Sequence, residues 1–196
     1  MKKMKLLVAA LALFACAGLA FAQENMISHG DFEGADIKEW IAEGSTITLP
    51  AGKGVNGSTA LLVRGKYNWS GVGKDLTKMN VCDGSDYYVE VWFKLDPADK
   101  GKRKSDVALA IQPDDISEED YDNFIYMGLD PEGDTYTGSS VDMNNKEYVK
   151  VNGVLKGDVI LEELHGRKSV SSIIYFKTDN PARPYYIDNV IIKKIK

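Results

Sequence analysis

Between Tyr87 and Leu95 the chain alternates without a slip: Tyr87, Val89, Val91, Phe93 and Leu95 fall on one side, Tyr88, Glu90, Trp92 and Lys94 on the other. A strict period of two marks an extended strand with one buried face, and no helix can gather those apolar positions on one side. Such a strand needs neighbours, because an isolated pair is barely stable in water. The chain supplies them as shorter alternating segments at Ser45 to Leu49, Thr59 to Val63, Val107 to Gln112, Glu147 to Leu155, Ser171 to Thr178 and Tyr185 to Lys194. Gly, Asn, Asp and Pro punctuate the gaps between them. In Val107 to Gln112 the alternation buries Val107, Leu109 and Ile111 and turns Ala108, Ala110 and Gln112 outward, where small residues can floor a groove. No stretch shows a convincing helical stripe. The pattern predicts an all-β, two-sheet sandwich in a single domain spanning residues 23–196.

Residues 1–22 read as a signal peptide: Lys2, Lys3 and Lys5 precede an apolar run from Leu6 to Phe14, and Ala20-Phe21-Ala22 offers a small-x-small cleavage site. The expectation is export from a bacterial cell to the periplasm or medium. The alternative is a lipoprotein anchored through Cys16, since Leu13-Phe14-Ala15-Cys16 is a degenerate lipidation signal. No later run is long enough for a transmembrane span. The net charge of −5 becomes more negative once the leader and its lysines are gone, which argues against nucleic acid and anionic lipid as partners. Cys82 is the one cysteine after Gln23, so no internal disulfide is expected.

Two charged insertions interrupt the strands. Asp99 to Lys104 is basic and Asp114 to Asp122 acidic, and both read as solvated loops. Ser117 and Asp120 can close a helical turn in the second, docked by Tyr121, Phe124, Tyr126 and Met127. Arg64-Gly65-Lys66-Tyr67-Asn68-Trp69-Ser70-Gly71 differs from both: two aromatics in a glycine-flanked polar turn leave Trp69 partly in water, where the C–H face of a sugar ring is one suitable cover. Asp188 is an acid inside an otherwise apolar strand, costly unless a cation balances it. A basic side chain would serve, and so would a calcium ion shared with Glu33. Glycosidases need a carboxylate pair at fixed separation, and no motif singles one out. Nor is there a Gly-x-Ser-x-Gly elbow, a His-Glu-x-x-His or a phosphate loop.

The order of motifs resembles the sandwich-type carbohydrate-binding modules of the family 4/9/22 superfamily, and family 22, the xylan-binding type, above all. Asn25 to Glu33 with Trp40 is similar to the family's opening N-x-x-x-x-G-x-F-E … W, and Arg64, Trp69 and Gly71 to its R-x-x-x-x-W-x-G turn. Tyr87 to Lys94 is similar to Y-x-V-x-x-W-V-K, Ile174 to Thr178 to L-Y-x-E-T, and Tyr185 to Val190 to F-Y-I-D-D-V. The resemblance implies a jelly-roll, galactose-binding-domain-like sandwich that binds a polysaccharide or oligosaccharide without cleaving it, in a cleft on one sheet. By position it implies sugar contacts from Trp69, Tyr136 and Tyr175 beside Arg64. Lys177 stands where the family has its cleft glutamate, so a donor replaces an acceptor and xylan specificity does not carry over. If Glu90 and Trp92 share that sheet, Glu90 can restore the acceptor; a cross-strand salt bridge is the competing role. The resemblance also implies a structural calcium ion, with backbone oxygens near Asp31 and in the Lys53 to Gly57 loop, Asn56 included, joining Glu33 and Asp188. Two readings compete with sugar binding: a structural or adhesive envelope module without a sugar site, and a small glycoside hydrolase.

Overall fold

In the computed structural model residues 24–129 and 140–195 are described, so the leader, Cys16 and Tyr136 lie outside the described residues. The strands are β1 (Ser45–Thr48), β2 (Leu61–Gly65), β3 (Val72–Asp75), β4 (Tyr87–Leu95), β5 (Arg103–Pro113), β6 (Ile125–Gly128), β7 (Asp142–Met143), β8 (Val149–Leu155), β9 (Ser169–Thr178) and β10 (Tyr185–Lys194), with one helix, α1 (Gly157–Leu164), before β9. They form two antiparallel sheets. The first runs β1-β2-β10-β4-β8 and the second β3-β9-β5-β6, with β7 on the end of β5. This is the expected jelly-roll sandwich.

The alternation of β4 sets the core. Tyr87, Val89, Val91, Phe93 and Leu95 are all buried and face Val107, Leu109, Ile111, Ile174 and Phe176 of the second sheet. Each buried aliphatic or aromatic side chain here contributes about 1.5–3 kcal/mol. Trp40, expected in the core, is buried against Phe32 and Phe176, with ring centroids 5.0 and 6.2 Å away. The N-terminal segment closes one end of the sandwich by pairing with β10. Asn25 Oδ1 accepts from Ile192 N at 2.9 Å, and Val190 N donates to Gly30 O at 2.7 Å.

Several elements, β7 among them, depart from the expectation. Arg103 and Lys104 belong to β5, not to a basic loop, because β5 continues past Val107 to pair with Thr178 and with β7. Strands β3 and β6 were not anticipated, and neither was α1. The helix is one short stretch whose buried contact is the i, i+4 pair Ile160 and Leu164, too brief for a visible stripe. In the acidic loop, Asp120 N bonds to Ser117 O at 3.0 Å as one turn, but Tyr121 stays 61% exposed instead of docking.

Candidate carbohydrate-binding face

On the second sheet the residues that do not enter the core form transverse rows fixed by register. Gly73 pairs with Tyr175, Tyr175 with Ala108, and Ala108 with Gly128, so one row crosses β3, β9, β5 and β6 with Tyr175 as its only large side chain. At about 4.8 Å per strand the row is about 14 Å long. Ile173, Ala110 and Tyr126 make the row on one side; Lys177 and Asp106 make the row on the other. The small outward residues expected of Ala108 and Ala110 are therefore in the floor of this face.

Gly73 is required there. A Cβ at that position would lie 2.8 Å from Ile173 Cγ2 and 3.0 Å from Tyr175 Cε1, so both side chains lean over the bare backbone. The Tyr175 hydroxyl donates to Glu43 Oε1 at 3.4 Å. Burial first, and then the Glu43 carboxylate, push the Tyr175 phenol well above its ordinary value, and the phenols of Tyr126 and Tyr121 are close enough to add to the effect. The hydroxyl stays protonated across the physiological range and remains a donor.

The 65–71 turn borders this face. Ser70 is fully buried and ties it: its Oγ accepts from Lys66 N (3.1 Å) and Tyr67 N (2.9 Å) and donates to Gly44 O (2.9 Å). Gly44, at φ +53, sits directly beneath the Trp69 ring, where any Cβ would lie 2.7 Å from Cη2. Trp69 is 54% exposed, as expected, but part of its cover comes from within the chain. Tyr67 stacks on it at 4.8 Å and 13°, itself 50% exposed, so the turn presents a stacked pair of rings in which Trp69 is partly covered by Tyr67 and by Gly44. Gly71 packs against Lys177 Cβ, which joins the turn to the sheet.

Of the residues marked out in the sequence, Trp69, Tyr175 and Lys177 come together here. Glu90, Trp92 and Arg64 do not. Glu90 and Trp92 project from the outer face of the first sheet, on the other side of the core, so Glu90 cannot stand in for the acceptor lost at Lys177. It plays the competing role: it accepts from Tyr88 Oη (2.6 Å) and Trp92 Nε1 (3.0 Å) and pairs with Lys150 Nζ at 3.5 Å. Burial raises the Glu90 carboxyl, but these donors and the Lys150 charge outweigh it and hold the group below its ordinary value. Arg64 shares the outer face of β2 with Leu62 and lies near Tyr186, again on the first sheet. Lys177 Nζ pairs across the strands with Asp106 Oδ2 at 3.3 Å. Tyr67, Tyr126 and Glu43 were not singled out as site residues; Tyr67 was visible in the turn itself, whereas Glu43 carries no local signal.

Asp188 lies on the first sheet, where β10 bulges between Asp188 and Ile191 with Asn189 at φ +48. Its side chain is 0% exposed. Oδ2 accepts from Val55 N (2.7 Å) and Ser58 Oγ (2.9 Å), and Oδ1 from Asn189 N (2.7 Å). Burial raises its pKa, those three donors offset part of the rise, and the nearby Asp31 charge raises it further. Among the described residues no lysine or arginine forms an ion pair with it, so the salt-bridge alternative is not what the fold provides. Glu33 Oε1 accepts from Thr59 N, which fixes this part of the N-terminal segment to the same loop. Asn56, at φ +54, shapes that loop. Among the described residues no group of three or more His, Cys, Asp or Glu is placed to hold a metal. Nor is any described helix long and apolar enough to cross a membrane.

Residues 24–153 match the sequence profile of a family described as "Carbohydrate binding domain". Among solved structures, the chain is similar to the CBM22-1 xylan-binding domain of Paenibacillus barcinonensis Xyn10C, at 17% identity and TM-score 0.69, over 90% of this chain and 98% of that one. The CBM22-1-CBM22-2 tandem of the same protein matches equally well, at 17% identity and TM-score 0.69, over 91% of this chain; the chain spans 47% of that tandem. The C-terminal family 22 carbohydrate binding module of Clostridium thermocellum Xyn10B matches at 18% identity and TM-score 0.66, over 88% and 96% of the two chains. No curated protein sequence is significantly similar.

Proposed function

This chain belongs to the carbohydrate binding domain family and shares its fold with family 22 modules, and from that premise we propose that it binds a polysaccharide on the outer face of the second sheet without cleaving it. The observation that carries the reading is the Gly73-Tyr175-Ala108-Gly128 row, a floor with one upstanding ring, bordered by the Tyr67–Trp69 stack. A pyranose chain offers flat C–H faces to such rings and hydroxyls to the polar groups between them. The CBM22-1 neighbour is described as a xylan-binding domain, so xylan is the first glycan to try. In this reading residues 1–22 direct export, residues 23–196 act as one domain outside the cytoplasm, and Tyr136 is a further sugar contact.

Affinity electrophoresis through xylan, mixed-linkage glucan, mannan and pectin tests it. Wild type should be retarded by at least one of them. Trp69→Ala should lose most of that retardation, because stacking on one ring contributes on the order of 1 kcal/mol, several-fold in affinity. No retardation of wild type on any glycan would remove the reading.

A calcium ion at Asp188 is part of the same proposal, and the donor chemistry supports it. A carboxylate oxygen accepts about two hydrogen bonds, so Oδ2 is saturated while Oδ1 keeps room for one more partner. Among the described residues no third carboxylate stands close enough to join Asp188 and Glu33. The rest of the shell would have to come from backbone oxygens near Asp31 and in the Lys53 to Gly57 loop, Asn56 included, the mix of carboxylate and carbonyl that calcium takes. The ion would balance a buried charge far from the sugar face and join the N-terminal segment to β10.

A further inference from the structure

The polar chemistry of the second sheet's outer face is narrower than its aromatic content suggests. Lys177 and Asp106 are spent on each other at 3.3 Å, so neither charge is freely presented. Glu43 differs. Its backbone is clamped, with Gly71 N donating to Glu43 O at 3.0 Å and Ser70 Oγ donating to the next carbonyl, that of Gly44, at 2.9 Å. From that fixed base its half-buried side chain reaches Tyr175, where Oε1 accepts the ring's hydroxyl. Oε2 has no protein donor among the described residues, and it stands beside Tyr175, the large ring of the central row.

A rigid carboxylate with an unused oxygen next to a stacking ring is suited to accept from a sugar hydroxyl, and charged acceptors make the stronger hydrogen bonds. Fixing the group beforehand lowers the entropy lost on binding. The surrounding field has the same sign. Asp75 ends β3 on this face, and the loop from Asp114 to Asp122, which carries Tyr121, contains six acids and no lysine or arginine. An anionic sugar would meet this field with Lys177 already engaged by Asp106, and Lys66, exposed in the bordering turn, as the opposing charge.

Resting on the carbohydrate-binding reading, we infer that Glu43 is the hydroxyl-accepting contact of this face and that the face takes a neutral, hydroxyl-rich glycan and rejects uronate-bearing ones. The acceptor missing at Lys177 is then supplied from the loop before β1 and not from the sheet.

The experiment is titration of wild type, Glu43→Gln and Glu43→Asp with neutral polymers (mixed-linkage glucan, mannan, arabinoxylan) and with polygalacturonate, each at low and at physiological salt. Wild type should bind its best neutral polymer at least about tenfold more tightly than polygalacturonate, with little salt dependence for the neutral one. Glu43→Gln should weaken the neutral polymer by about tenfold and narrow the gap to polygalacturonate. Glu43→Asp keeps the charge but withdraws the acceptor, so it should lose neutral affinity while still excluding polygalacturonate. Neutral binding equal to wild type in both variants, or tighter binding of polygalacturonate than of any neutral polymer by wild type, overturns the inference and leaves carbohydrate binding intact. Failure of wild type to bind any polymer overturns the carbohydrate reading, and this inference with it.

Discussion

Tyr175→Ala should weaken binding of whichever glycan retains the wild type by roughly thirtyfold or more, about 2 kcal/mol, and leave the fold standing. The size of the effect follows from position. Tyr175 is the only large side chain in the row that crosses all four strands, its ring lies over Gly73, and its hydroxyl is tied to Glu43. An aromatic anchor held in one orientation at the centre of a contact surface is the kind of residue whose truncation costs most. The side chain faces away from the core, so the melting temperature should move by only a few degrees. Tyr175→Phe separates the two parts of the contribution. It keeps the ring and loses the hydroxyl, so the loss should be about 1 kcal/mol, a factor of roughly five. Equal losses in the two variants would mean that stacking contributes nothing. Unchanged binding in Tyr175→Ala would place the sugar elsewhere.

The second large effect concerns stability. Asp188→Ala should destabilise the protein by about 3–5 kcal/mol, which for a domain of this size lowers the melting temperature by roughly 10 °C. The substitution strands Val55 N and Asn189 N, which now donate to one fully buried carboxylate, and leaves Ser58 Oγ with Val55 O as its remaining acceptor. It also frees the loop that the N-terminal segment grips through Glu33 and Thr59 N. Calcium gives this prediction a second readout. If an ion neutralises Asp188, chelation should lower the melting temperature of wild type and added calcium restore it, because a ligand that binds only the folded state stabilises it by mass action. Asp188→Ala should then be indifferent to both treatments. A wild-type melting curve unchanged by chelator would remove calcium, while the stranded donors would still predict the variant's loss.

The physical reasons why some features were legible in the sequence and others were not are specific. β4 was readable to the residue because buried and half-buried positions alternate through its length. β10 instead opens with four buried residues, alternates only past the bulge after Asp188, and was readable as a nearly continuous apolar run. β3 was hidden because Gly73 has no side chain and Lys74 points into the sandwich, its ammonium covered by Glu39 at 2.9 Å and by the Trp40 ring at 5.3 Å. A lysine turned inward erases the period that marks a strand. α1 was hidden by its length.

The site follows the same logic. Trp69, Tyr175 and Lys177 could be named because local motifs surround them. Glu90 and Trp92 were correctly given a shared face, but alternation along one strand cannot say which sheet that face belongs to. Glu43 was invisible for a different reason: its partner Tyr175 is 132 residues away, and only the closed sandwich brings the two together. Asp188 was conspicuous as an acid in an apolar strand. The donors that satisfy it, Val55 N and Ser58 Oγ, come from a loop more than a hundred residues earlier, which no local pattern connects to it.

Backbone amide shifts in a titration of isotope-labelled protein with the glycan it retains would locate the sugar. The row predicts the largest changes at Gly73, Ala108, Tyr175 and Gly128, together with the Trp69 indole. Changes concentrated on Tyr88, Trp92 and Lys150 of the opposite sheet, or no changes with any glycan, would contradict it.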